Sequence, residues 1–190
     1  MKNEKLVIGI NGSPRKGNSF KLLESFLKGA KDKGFTVELI DTCSIKISPC
    51  MECGFCSKEG ICRIDDDMTK IRELIENTKY IAVCSPVFFF GVSAQLKILI
   101  DRCQPLWVKK YLLKNDVKIS GKKGFFFSTG GFDKEITFKG GELCLKAFFD
   151  CINAKYSDKI FVTSMEYKGD ILKRSDCLEK AYQLGSSLSF

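Results

Sequence analysis

Four cysteines crowd one short stretch of this sequence, Cys50-Met51-Glu52-Cys53-Gly54-Phe55-Cys56 followed by Cys62, a C-x2-C-x2-C-x5-C run. Thiolates two residues apart can wrap one corner of an iron-sulfur cubane, because a chain curling round a cluster presents a side chain about every third residue. A fourth thiolate nearby completes the ligand set of a [4Fe-4S] cluster. Bacterial ferredoxins put three residues before the fourth cysteine and proline after it, whereas here five precede it and Arg63 follows. Other chemistries share the pattern. Zinc held by four cysteines ordinarily uses two separated C-x2-C knuckles, which three bunched cysteines do not supply. Either C-x-x-C could work as a redox dithiol, leaving two cysteines unexplained, and thiols without any metal are the plain alternative.

The cysteine count sharpens against a second number: among 190 residues there are 10 cysteines and no histidine. The missing imidazole excludes Ser-His-Asp and Cys-His nucleophiles, His-ligated zinc and a Rieske centre, and it leaves no residue to name as general acid or base. Of the six cysteines outside the run, Cys84 ends an apolar strand, Cys103 sits on an apolar helix face, and Cys144 and Cys151 lie seven apart on one helix face. These four read as small core hydrophobes. Cys43 and Cys177 stay unassigned.

A different chemistry is written after the first apolar run. Gly12-Ser13-Pro14-Arg15-Lys16-Gly17-Asn18-Ser19 is rich in hydroxyls, amides and free backbone donors just before a helix, the setting in which a helix N-terminus holds a phosphate. Gly12 and Gly17 have the Walker A separation, but Asn18 stands where the lysine should be, and G-x-G-x-x-G is absent. A nucleoside-triphosphate P-loop and a Rossmann dinucleotide site are therefore disfavoured. The terminal phosphate of a mononucleotide such as FMN fits better, with a polar turn and a capped helix as the bland reading.

These residues need elements to position them. Leu6 to Ile10, Phe35 to Ile40, Tyr80 to Cys84, Phe125 to Phe127 and a weaker run near Lys159 to Thr163 read as strands. Between them, Phe20, Leu23, Phe26, Leu27 and Ala30 recur at helical spacing after a cap at Asn18 or Ser19, up to Gly34. Met68, Ile71, Leu74 and Ile75 share a helical face, with Asp65, Asp66 and Asp67 read as its N-terminal cap. Ser93 opens a helix through Cys103, and further helices cover residues 142 to 152 and 176 to 188. Strands alternating with helices predict an α/β fold, a doubly wound five-stranded parallel sheet with helices on both faces. The expectation is a single domain over 1–190, with Cys43 to Cys62 a long loop of the kind that usually has a function.

Taken together, Gly12 to Ser19, Ser85-Pro86-Val87 with the aromatics behind it, Ser93-Ala94-Gln95-Leu96-Lys97 through Asp101-Arg102, and Thr129-Gly130-Gly131 resemble the flavodoxin-like NADPH-dependent FMN reductases. The likeness is nearest to their iron-sulfur flavoprotein branch, and it covers about the first 135 residues, as expected where several ordered motifs agree. The resemblance implies FMN, its phosphate held by Ser13, Arg15, Asn18, Ser19 and the Phe20 amide. It implies a flavin ring against Pro86, Val87, Phe88, Phe89 and Gly91, with Thr129, Gly130 and Gly131 on another side. It also maps a compact cluster motif onto Cys50, Cys53, Cys56 and Cys62. Relatives usually carry tyrosine where Phe88 stands, so a hydroxyl contact to the flavin edge is lost here. Core packing is the bland reading for at least one of Phe88, Phe89 and Phe90.

Lys+Arg total 31 against 23 Asp+Glu, a net charge of +8, with 44% hydrophobic and 28% charged residues. No apolar run nears the roughly 18 to 20 residues that cross a bilayer, so a cytoplasmic protein with reduced thiols and no membrane partner is expected. Lys109, Lys110, Lys114, Lys118, Lys122 and Lys123 form the one basic concentration. It reads first as a solvated surface; an NADPH phosphate or an acidic ferredoxin-like electron donor are functional readings. Nucleic acid is not expected, since no recognition motif accompanies the charge. The resemblance adds NAD(P)H as donor and a homodimer or tetramer, with Trp107 a candidate interface contact. The leading reading is a flavin-dependent oxidoreductase or electron carrier passing electrons between FMN and the cluster. The alternatives are an NAD(P)H-dependent FMN, quinone or azo reductase whose cysteine loop is structural or zinc-bound, and a basic binding module without enzymatic activity.

Overall fold

The computed structural model describes residues 3–115, 119 and 121–190, with side chains from residue 5 onward. Its centre is a parallel sheet of β1 (Asn3–Asn11), β2 (Thr36–Asp41), β3 (Thr78–Pro86), β4 (Lys123–Thr129) and β5 (Lys155–Val162), in the order β2-β1-β3-β4-β5. Side chains alternate between the faces because successive strand residues point opposite ways. Leu6, Ile8 and Ile10 enter one core with α3 (Met68–Asn77), α4 (Ala94–Asp101), α5 (Gln104–Tyr111) and α6 (Lys139–Cys151). Val7 enters the other core with α1 (Asn18–Asp32) and α7 (Ser175–Ser186). In β4 the same alternation sends Phe125 and Phe127 onto Phe26 of α1, with ring centroids 4.9 and 5.5 Å away, while Phe126 meets Phe161 on the far face. Both faces of the sheet are thus covered, as parallel sheets require. The five-stranded doubly wound expectation holds.

Several local expectations are corrected. β5 starts at Lys155, ahead of the expected Lys159, and its signal is weak because its leading residues, Lys155-Tyr156-Ser157-Asp158, lie on a half-exposed edge. The single helix expected from Ser93 is two, α4 and α5. Pro105 at the start of α5 lacks an N–H and its ring would clash with the carbonyl four residues earlier, so the first helix ends at Asp101. Ser93 caps α4 as expected, accepting from Leu96 N–H at 3.3 Å. At α1, however, Gly17 occupies the cap position and no side chain caps the helix.

The basic stretch is not one solvated patch. Lys109 pairs with Glu76 at 2.9 Å and Lys110 with Asp150 at 2.8 Å. Lys122 is buried, its ammonium donating to the carbonyl of Ile75 at 2.6 Å near the end of α3, where cations complement the exposed carbonyls. Burial pulls its pKa down to about 8. Lys118 lies outside the described residues. Cys84, Cys103 and Cys151 are buried as expected, whereas Cys144 and Cys177 are half-buried and Cys43 is exposed. No helix among the described residues is long and apolar enough to cross a membrane.

Candidate functional site

The strand order reverses between β1 and β3, and in an open α/β sheet the crevice at the carboxyl ends of such a pair is where ligands bind. β1 delivers the loop 12–17 into that crevice. Gly12 N–H donates to the Cys84 carbonyl at 2.8 Å, and a Cβ at Gly12 would sit 2.8 Å from that same oxygen, so only glycine permits the approach. Asn11 is buried and organises the turn: its Oδ1 accepts from Ser13 N–H at 2.9 Å, and its Nδ2 donates to Asp41 at 3.1 Å. Lys16 closes the loop with an ion pair to Asp41 at 3.0 Å. Burial would raise the Asp41 carboxyl, but hydrogen bonds from Lys16, Cys43 N–H and Asn11 outweigh it and hold the pKa below the ordinary value.

Ser13 and Ser19 are both buried here, with different commitments. Ser13 Oγ accepts from Gly17 N–H at 3.0 Å, while Ser19 Oγ has no oxygen or nitrogen partner in the protein and has the buried Cys84 thiol as its polar neighbour. A buried hydroxyl without such a partner is uncommon and marks a group awaiting one. Around it, the first N–H groups of α1, those of Asn18, Ser19 and Phe20, have no intrahelical acceptor. Asn18 itself is otherwise engaged. Its Nδ2 donates to Tyr167 O at 2.8 Å and its Oδ1 accepts from Gly169 N–H at 2.8 Å, pinning the start of α1 to the chain beyond β5. Its amide side chain therefore serves the fold, and its backbone N–H is what it offers the crevice.

The second loop leaves β3. Val87 N–H donates to Thr129 O at 3.0 Å, then Phe88 and Gly91 exchange backbone hydrogen bonds of 3.0 and 2.8 Å across a two-residue turn. The residues in that turn are Phe89 and Phe90, at φ of 47° and 62°, a left-handed pair where glycine and asparagine are the usual choice. Phe90 O accepts from Gly141 N–H at 3.1 Å and so ties the turn to α6. All three phenylalanines are exposed, Phe89 fully. The expectation that at least one packs into the core is not met, because the tight turn lifts all three off the sheet.

The third loop follows β4. Gly130 N–H donates to Val162 O at 3.0 Å and Gly130 O accepts from Met165 N–H at 2.9 Å, which holds the loop against the end of β5. The three loops meet round one cavity of about 180 Å³, lined by Ser13, Arg15, Gly17, Asn18, Ser19, Pro86, Val87, Phe88, Thr129, Gly130, Gly131, Met165 and Glu166. Of the residues expected at such a site, Phe20, Phe89 and Gly91 lie outside this lining. Gly17, Met165 and Glu166 are additions. The last two follow β5, and the rule that ligands sit beyond strand carboxyl ends would have pointed to them had the end of that strand been legible.

The cysteine run occupies a separate cavity of about 640 Å³, lined by the loop and by residues of α4, α5, α6 and the α4–α5 junction, among them Arg102, Cys103, Trp107 and Cys151. Cys50, Cys53, Cys56 and Cys62 all line it. The chain curls through left-handed positions at Glu52, Gly54 and Gly60, with one helical turn, α2 (Cys56–Glu59), between. Burial pushes the Cys56 thiol up, and the neighbouring thiols of Cys62, Cys50 and Cys53 push it the same way. Among the described residues, no three Cys, Asp or Glu side chains converge closely enough to hold a metal ion as they stand. The donor set is that of a soft metal centre; the loop spreads it round one concave surface.

Beneath the loop lies a buried cation, Arg102, to which the sequence motif assigns no role. Arg102 is 1% exposed and donates Nη1 to Asp66 Oδ2 at 2.7 Å and to Ser48 O at 2.6 Å. Its Nη2 donates to Asp66 Oδ1 at 3.0 Å and to Ile64 O at 3.3 Å. Asp66 does accept from Met68 N–H at 3.1 Å at the start of α3, as a cap would, but its larger commitment is to this guanidinium and to Ser48 N–H. Trp107, half-exposed at 39%, packs beside Tyr111 with ring centroids 5.4 Å apart at the edge of the same region.

Residues 6–136 match the NADPH-dependent FMN reductase family. An iron-sulfur flavoprotein of Archaeoglobus fulgidus is 36% identical over 126 residues, 66% of this chain and 62% of its own length. Another, of Methanocaldococcus jannaschii, is 32% identical over 146 residues, 76% of this chain and 69% of its own. The chain thus spans a little under two thirds of the first relative. Among solved structures, NAD(P)H:quinone oxidoreductase from Methanothermobacter marburgensis superposes with a TM-score of 0.70 at 20% identity, over 98% of this chain and 100% of that one. At that identity the likeness speaks to the fold.

Proposed function

This chain belongs to the NADPH-dependent FMN reductase family and falls in its iron-sulfur flavoprotein branch, and from that premise we propose that it is a flavin-dependent oxidoreductase working with FMN and a [4Fe-4S] cluster. The observation that carries the flavin half is the buried Ser19 hydroxyl without an oxygen or nitrogen partner, set among free helix N–H groups in the cavity where the three loops meet. That arrangement fits a phosphate, since anions favour a helix N-terminus. The Arg15 guanidinium, on the cavity lining, supplies countercharge, and Glu166 offers an acceptor for hydroxyl groups next to the phosphate. Pro86, Val87, Phe88 and the Thr129 to Gly131 turn give an apolar and backbone-lined wall for a flat ring.

When bound, FMN supplies hydride and one-electron chemistry and a cluster supplies one-electron chemistry, the protein contributing binding, orientation and electrostatics. Cys50, Cys53, Cys56 and Cys62 would hold the cluster; none of the four is in a disulfide, and all line one cavity. With no histidine in the chain, none of these residues is assigned a proton-transfer role. NAD(P)H or a ferredoxin-like protein is the donor this reading favours, in a homodimer or tetramer. The basic-module reading loses support, because Lys109, Lys110 and Lys122 are engaged within the fold.

Anaerobic purification and then absorption spectroscopy, with FMN, iron and sulfide assays, tests the reading. One FMN and about four irons per chain are expected. A colourless protein that takes up no FMN overturns the flavin assignment, and FMN with fewer than about four irons defeats the single cubane. A second reading, an FMN, quinone or azo reductase without a cluster, is favoured by one observation: the four thiols do not converge on a common point among the described residues.

A further inference from the structure

Arg102 reaches both ends of the cysteine loop at once. Ser48 lies two residues before Cys50 and Ile64 two residues after Cys62, and one guanidinium holds the carbonyls of both, with Asp66 as its counter-charge. Four of its N–H bonds go to these partners. Its Nε, equally buried, has none. Leaving a buried donor of a charged group unpaired is costly, and a group whose every other bond is satisfied at 2.6 to 3.3 Å is not free to turn and find water. A further neighbour is sulfur: Cys62 stands against this guanidinium, close enough to favour its charged form, and both line the cavity of the cysteine run.

We propose that Arg102 is a positioning residue of the cysteine site, clamping the two ends of the loop through Ser48, Ile64 and Asp66 and keeping its Nε–H for the Cys62 sulfur when that sulfur is a cluster ligand. The proposal rests on the cluster reading above. An N–H bond to a ligand sulfur stabilises the more negative, reduced cluster more than the oxidised one, and so raises the reduction potential. Because guanidinium stays protonated throughout the accessible pH range, the bond does not switch with pH. A lysine could supply the charge but not a fork spanning three acceptors.

Iron and sulfide are assayed first on the anaerobic wild-type protein. Fewer than four irons removes the cluster reading and this proposal with it, whereas a full complement makes the variants a test of Arg102 alone. In Arg102→Lys and Arg102→Gln the reduction equilibrium of the cluster should shift about tenfold toward the oxidised form, about 59 mV for one electron, while Lys180→Gln on α7 leaves it unchanged. An unchanged potential in folded, iron-replete Arg102 variants overturns the proposal. Should those variants not fold, electron-nuclear double resonance on the reduced Arg63→Lys protein carrying guanidino-¹⁵N arginine decides: a ¹⁵N coupling to the cluster is expected, and its absence overturns the proposal.

Discussion

Arg102 grips both carboxylate oxygens of Asp66, Nη1 to Oδ2 at 2.7 Å and Nη2 to Oδ1 at 3.0 Å, and so fastens the chain behind the cysteine loop to the junction of α4 and α5. The guanidinium is 1% exposed and the carboxylate 13%, so either left alone would be a nearly desolvated charge. Asp66→Ala should therefore cost about 3 to 5 kcal/mol in urea unfolding, the usual penalty for orphaning one member of a buried pair. Burial by itself would raise the Asp66 carboxyl, but Arg102 and the N–H groups of Ser48 and Met68 more than offset it and lower the pKa. The pair's stabilisation is then fully present above the ordinary carboxylate value near pH 4 and is lost as pH falls through the depressed value. Asp66→Asn should flatten that acid-side loss, and a variant with the wild-type acid profile would contradict the assignment.

Ser19→Ala separates binding from folding. Since its hydroxyl has no oxygen or nitrogen partner and only the weakly bonding Cys84 thiol beside it, stability should stay within about 1 kcal/mol of wild type. If the hydroxyl serves a phosphate, the FMN dissociation constant rises about tenfold or more, the worth of one hydrogen bond to a charged group. Fluorescence titration of the apoprotein with FMN reads the second quantity, and an unchanged affinity would remove Ser19 from the phosphate site.

The turn at Phe89 and Phe90 places two bulky side chains in left-handed backbone. Such residues cost of order 1 kcal/mol or more each, so the double replacement Phe89→Asn with Phe90→Gly should raise stability by about 1 to 3 kcal/mol. Phe89, fully solvent-facing, buries nothing in exchange, and the half-covered Phe90 ring sets the lower end of that range. A thermal midpoint that falls in the double variant would mean the rings stabilise the fold in a way the turn geometry does not reveal.

Lys122 gives a signature on the alkaline side. Its folded pKa is near 8 because of burial, against an ordinary value of 10.5. Between those values the unfolded chain still holds a proton that the folded chain has released, so stability rises with pH by up to about 1.4 kcal/mol per unit. Lys122→Met should abolish that rise, while losing about 1 to 3 kcal/mol at pH 8 by stripping the Ile75 carbonyl of its donor. Urea unfolding of both proteins from pH 7.5 to 10 measures the difference in slope.

The sequence by itself determined the layers and which loops would meet at the candidate site. Short continuous apolar runs, Leu6 to Ile10, Tyr80 to Cys84 and Phe125 to Phe127, set three loops at the carboxyl ends of strands, and chain connectivity alone then brings them to one edge of a parallel sheet. The cysteine spacing was equally local, since ligands two residues apart need no partner from elsewhere. What only the tertiary structure decided is which polar atoms are already engaged. Asn18 and Ser19 are adjacent and equally plausible phosphate ligands in sequence, yet Asn18 spends its side chain on Tyr167 and Gly169, about 150 residues on, and Ser19 keeps its hydroxyl beside the Cys84 thiol without an oxygen or nitrogen partner. Arg102 enters the sequence only as the last residue of a motif, and its role emerges once its partners, 36 to 54 residues away, are brought beneath the cysteine loop. Hydrogen-bond satisfaction is a property of contacts between distant segments, and no local pattern of residue types encodes it.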